Sequence, residues 1–124
     1  MYTIIRKMLK AIYYFKDVKG NIPVKEFIDR LSLKEQAKVF AYIVELRNQG
    51  HNLHRPMAGY LGNGIYELRP RDNRIFYFFF LRDSGVLVHA TRKKTDKIPQ
   101  EDLNLCLKRK NMVEKLKNIE KLEL

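Results

Sequence analysis

Between residues 69 and 97 the chain carries eight lysines and arginines against three aspartates. The cations are Arg69, Arg71, Arg74, Arg82, Arg92, Lys93, Lys94 and Lys97, and the acids are Asp72, Asp83 and Asp96. Six of them, Arg69, Arg74, Arg92, Lys93, Lys94 and Lys97, fall on or at the ends of three expected strands. Neighbouring antiparallel strands set their residues about 5 Å apart, so such cations can converge on one phosphate. Tyr66, Phe76, Tyr77 and Phe78 are interleaved with them. Cations beside aromatic rings suit phosphate contact and base stacking on single-stranded RNA. The competing reading is that strand-end cations are solvated guards against edge pairing. The phenylalanines read as core, whereas Tyr66 and Tyr77 stay open between core and base platform.

Other chemistries have less behind them. The sequence shows no evident pair of carboxylates for acid and base work, no glycine-rich phosphate loop before a helix, and no nucleophile with a histidine partner. Glu67 alternates with Arg69 on one strand face, which suits an ion pair that orients the arginine. His89 is either a general acid or base or a structural strand histidine. His54 and Arg55 precede the strands, as substrate contacts or as solvated loop. A single cysteine, Cys106, cannot form an internal disulfide, and His51, His54 and His89 have no metal-ligand spacing. No metal and no cofactor are expected.

These residues sit in a chain of 124, which is one domain's length, expected to span residues 1–124. A net charge of +11 draws the protein toward polyanions or an acidic partner. With 45% hydrophobic residues, a disordered basic tail is excluded. The longest apolar run, Ile75 to Leu81, is far short of the roughly 20 residues of a membrane-spanning helix. The first residues lack the apolar stretch of a signal peptide, so a cytoplasmic protein with no membrane association is expected.

Local patterns supply the scaffold. Ala11–Lys16, ended by the turn cluster 17–21, reads as a first strand. Residues 1–10 read as an N-terminal extension, or as the product of a start upstream of Met8. Pro23 opens a helix with Val24, Phe27, Ile28 and Leu31 at helical spacing. Ser32 and Glu35 form an S-x-x-E capping pattern for a second helix, with an apolar stripe of Val39, Phe40, Ile43, Val44 and Leu46, ending at Gly50. His51–Gly64 reads as loop. Strands are expected at Ile65–Arg69, Arg74–Arg82 and Val86–Thr91, the last pair joined by a turn at Asp83-Ser84-Gly85. The middle one, apolar at successive positions, suits a strand covered on both faces. A last helix begins near Gln100 and buries Leu103, Leu107 and Cys106. Residues 112–124 either extend it or fray. The order gives an α+β fold: a small antiparallel sheet made of the N-terminal strand and a three-strand meander, with a helical hairpin and a C-terminal helix.

The segments IPVKEFIDRLSLKEQAKVFAYIVEL, LGNGIYELRP, RIFYFFF and HATRKKTDKIPQEDLNLCLKRK, in this order, resemble the phage-derived HigB-like branch of the RelE/ParE toxin superfamily. The resemblance runs from about residue 11 to 112. It implies a RelE-like fold and the toxin of a type II toxin–antitoxin pair. Such a toxin is an endoribonuclease that cuts mRNA on the ribosome without a metal and is inhibited by a helix-turn-helix, HigA-like antitoxin. In that chemistry the 2′-hydroxyl attacks the neighbouring phosphate while cations hold the extra charge. The resemblance assigns the catalytic positions to Arg69 in YELRP, Arg74 in RIFYF, and Lys93 and Lys94 in KKT. Beside them, on physical grounds, Arg55, Arg71, Arg92, Lys97 and Tyr77 are read as RNA contacts, Tyr77 also as a spare acid, and Lys93 or Lys94, crowded by other cations, as the group that moves a proton. Two family positions have no clear counterpart. Ile98-Pro99-Gln100 stands where RelE has a tyrosine, and HRPMAGYLGNG offers only Arg55 where RelE has a lysine base.

Two other functions fit the same residues. A ParE-like toxin would inhibit DNA gyrase, and a non-catalytic module would hold nucleic acid or a partner through its cations, with affinity that falls steeply with salt.

Overall fold

The computed structural model describes residues 8–124, so most of the expected N-terminal extension lies outside the described residues. Strand β1 (Ala11–Phe15) leads to helices α1 (Pro23–Asp29) and α2 (Leu33–Gln49). Strands β2 (Ala58–Gly62), β3 (Ile65–Leu68), β4 (Asn73–Phe80) and β5 (Ser84–Arg92) follow, then α3 (Gln100–Leu116) and β6 (Ile119–Lys121). The six strands form one sheet in the order β2-β3-β4-β5-β1-β6. Every pairing is antiparallel except β1 with β5, which is parallel. The α+β class, the helical hairpin and the C-terminal helix are as expected.

Strand β4 explains the layering. Its Ile75 and Tyr77 join the core under α1 and α2, with Val24, Ile28, Val39, Ile43 and Leu46. Phe76, Phe78 and Phe80 point the other way, into a second core with Cys106 and Val113 of α3. A strand buried on both sides has no polar face to alternate with, hence the apolar run RIFYFFF. The sheet is thus sandwiched between the helical hairpin and α3.

Ser32 caps α2 by accepting a hydrogen bond from Glu35 N at 3.2 Å. The reciprocal half of the capping pattern is absent, because Glu35 turns to Arg92 instead, 3.1 Å away. Val44 of the expected apolar stripe is 40% exposed.

Three segments differ from expectation. The loop 51–64 contains β2, a glycine-bearing edge strand that lacks the β-branched residues by which strands are recognised. It reaches β3 through Gly62-Asn63-Gly64, where all three φ angles are positive, a geometry that glycine adopts without cost. The turn between β4 and β5 is Leu81-Arg82-Asp83 rather than Asp83-Ser84-Gly85, with Leu81 and Arg82 in the left-handed region. Residues 112–124 do not fray: α3 continues to Leu116, Lys117 ends it in the left-handed conformation, and β6 pairs with β1. Leu122 N donates to Ile12 O at 2.9 Å, and Leu122 is 4% exposed.

Candidate nucleic-acid interface

Alternation along β3 and β4 puts Ile65, Glu67, Arg74, Phe76 and Phe78 on the α3 side of the sheet, and extends to Arg69 just past the end of β3. Glu67 and Arg74 are almost fully buried. Glu67 Oε2 lies 3.4 Å from Arg74 Nε, an ion pair without hydrogen-bond alignment. Glu67 Oε1 lies 3.8 Å from Arg69 Nη1. One buried carboxylate therefore faces two guanidinium groups, and the outer one, Arg69, keeps 27% of its side chain exposed. The contact with Arg69 is the ion pair expected of Glu67.

Arg74 also donates from Nη2 to the carbonyls of Thr95 and Asp96, at 2.9 and 3.1 Å. It staples the loop 93–99 onto the sheet. Arg74, expected at a catalytic position, is thus nearly fully buried, with its guanidinium committed to Glu67 and two carbonyls.

The stapled loop gathers further charge. Lys93 Nζ contacts Asp96 Oδ1 at 3.0 Å, and the Lys93 backbone N–H donates to Asp72 O. The Asp96 carboxyl is held below its usual value chiefly by the hydrogen bond from Lys93, then by that lysine's charge, with Arg69 and Arg74 adding to the effect. Lys93 thus touches the Asp96 carboxylate, Arg74 holds the Asp96 carbonyl, and the charge of Arg69 is felt at the same carboxylate. Beside it, Arg74, Thr91, Arg92, Lys94, Thr95 and Asp102 line a cleft of about 340 Å³, with Lys94 exposed at its wall. Arg92 is tied to Glu35 of α2, and Lys97 is exposed further along the loop.

The other expected contacts are not drawn in. Arg71, in the β3–β4 turn, adjoins Lys34 and Lys38 of α2, on the opposite side of the sheet. The Arg55 guanidinium lies against Gly59 of β2. Tyr77 is fully buried, and burial raises its phenol well above the ordinary range. It stacks under Tyr66 at 5.4 Å, so its expected RNA contact is corrected to a core role. The exposed ring of this stack is Tyr60, 4.7 Å from Tyr66, whose hydroxyl accepts from Gly64 N at 3.1 Å.

His89 is the surprise of the opposite kind. Its Nε2 is 2.8 Å from Asp102 Oδ1 on α3, and its ring stacks on Phe76. Burial lowers its imidazole below the ordinary value, against the pull of Asp102. Sequence reading missed Asp102, because an acid in the first turn of a helix reads as a complement to the helix dipole. Its cue would have been the register that sets α3 across β5.

Among the described residues no three His, Cys, Asp or Glu side chains form a group that could hold a metal ion, and no helix is long and apolar enough to cross a membrane. No curated protein matches the chain. Residues 26–111, most of its length, match the family described as phage-derived protein Gp49-like (DUF891). The chain therefore belongs to the Gp49-like phage-derived family.

Proposed function

We propose that this protein is the toxin of a type II toxin–antitoxin pair and acts as an endoribonuclease on mRNA held by the ribosome. The observation that carries the reading is the Glu67-braced Arg69, joined through the buried Glu67 to Arg74, which holds the loop of Lys93 and Asp96 beside a cleft walled by Lys94. Membership of a phage-derived family and the HigB-like order of motifs support it. In this reaction, which needs no metal, the RNA 2′-hydroxyl attacks the adjacent phosphate. Arg69, planar and always charged, neutralises the oxygens that gain charge. Lys94 gives a proton to the departing 5′-oxygen, and Lys93 exchanges Asp96 for the phosphate. A helix-turn-helix, HigA-like antitoxin silences the enzyme by covering Arg69 and Lys94.

Expression without the antitoxin arrests growth and leaves transcripts cut. Purified protein cuts mRNA on programmed ribosomes, and Arg69→Ala slows cleavage by about 10²- to 10³-fold, as loss of one charge-stabilising donor does. Growth arrest with intact mRNA and inhibited gyrase supercoiling would replace this reading with a gyrase inhibitor. RNA binding with no product would reduce it to a binding module.

A further inference from the structure

An attacking 2′-hydroxyl must lose its proton, and the lysine that the resemblance would call on has no counterpart in HRPMAGYLGNG. The cleft beside the cations contains a different group. Asp102 lines it together with Arg74, Thr91 and Lys94. Its Oδ1 is held by His89 Nε2 at 2.8 Å, and its side chain keeps 22% exposure. The imidazole is fixed by its stack on Phe76, so the carboxylate is aimed rather than free to swing.

We propose that Asp102 is the general base for the 2′-hydroxyl and that His89 is its positioning residue, an assignment that rests on the endoribonuclease reading above. The electron bookkeeping closes within the cleft. The proton passes from the 2′-oxygen to the second oxygen of Asp102, and the freed oxygen pair forms the new bond to phosphorus. The bond from phosphorus to the 5′-oxygen breaks, and that oxygen takes its proton from Lys94. The products are a 2′,3′-cyclic phosphate and a 5′-hydroxyl. Neutral His89 donates its Nε2 proton to Asp102 and so leaves the other carboxylate oxygen as the acceptor.

The charges around the pair are Glu101, Arg74, Arg92 and Lys94 at the cleft and Arg109 of α3 on the His89 side. The experiment follows single-turnover cleavage of mRNA on programmed ribosomes from pH 4.5 to 8.5, together with binding of an RNA carrying a 2′-deoxy substitution at the cut site. Asp102→Asn keeps an acceptor for His89 and removes the base. It is expected to lose about 10²- to 10⁴-fold in rate, with the acid limb of the pH profile gone and binding of the deoxy RNA within threefold of wild type. His89→Gln, which retains a donor to Asp102, is expected to recover much of the rate that His89→Ala loses. Wild-type activity in Asp102→Asn, or an unchanged acid limb, would overturn the assignment while leaving the enzyme reading intact. A wild-type protein that cuts no RNA would overturn both.

Discussion

Glu67 is the residue whose removal tests the architecture of the site most directly. The substitution Glu67→Gln keeps the side chain's shape and deletes the charge that offsets Arg74, itself 3% exposed. Breaking a buried ion pair on one side costs about 3–5 kcal/mol. Arg74 retains its two carbonyl acceptors, Thr95 and Asp96, which points to the lower end of that range. A chain of this length gains about 0.26 kcal/mol/K of entropy on unfolding, so a loss of about 3 kcal/mol lowers Tm by about 12 °C. Arg74→Met, which strands Glu67 instead, should cost a similar amount. In the double variant no buried charge is left alone, and the two losses should fall short of additivity by about 2 kcal/mol. Thermal unfolding followed by circular dichroism on the four proteins measures this. Single shifts below about 4 °C, or additive shifts, would show that the buried Glu67–Arg74 pair is not what holds Arg69 and the loop 93–99 in place.

Three further outcomes are expected. Leu122→Ala, in the strand-forming tail, should destabilise the protein by about 2–3 kcal/mol in urea unfolding, where a frayed tail would show no change. Burial pushes the Cys106 thiol up to about 12, so it should resist a thiol reagent in the native protein and react at once in denaturant. Because the folded state holds His89 below its ordinary value, the stability tied to its neutral form is complete above the unfolded value near pH 6.5 and drains away as pH falls through the lower folded value. His89→Gln should flatten the fall of Tm across that acid window.

The helices were readable because their signals are local: Pro23 at a first turn, Ser32 as a cap, apolar residues at a 3.6 spacing. Strand β4 was readable because burial on both faces leaves a run of seven apolar residues. Strands β2 and β6 were not, because Ala-Gly-Tyr-Leu-Gly and Ile-Glu-Lys each hold a single strand-favouring residue, and each is specified by its neighbour's edge. The candidate site divides in the same way. Arg69, Lys93 and Lys94 announce themselves as charge on one meander, and the alternation of Glu67 with Arg69 foretells their pairing. Which cations face away, as Arg71 does, depends on a turn whose residue 71 has φ of 58°, a detail that no spacing encodes. Tyr77 was ambiguous because one tyrosine in an aromatic run reads alike as core or platform. The pairing of His89 with Asp102 depends on how α3 crosses the sheet, a tertiary fact.

The short strand β6 also bears on which edge of the sheet is left open. It covers the outer flank of β1, whose sequence Ala-Ile-Tyr-Tyr-Phe would otherwise be an apolar edge open to pairing with another chain. The strand that takes the outermost place instead is three residues long and carries the exposed Glu120 and Lys121. A short, charged strand is a poor template for a further one. Cutting after Lys117 would therefore do more than remove a few contacts: it would uncover a sticky aromatic edge and favour self-association.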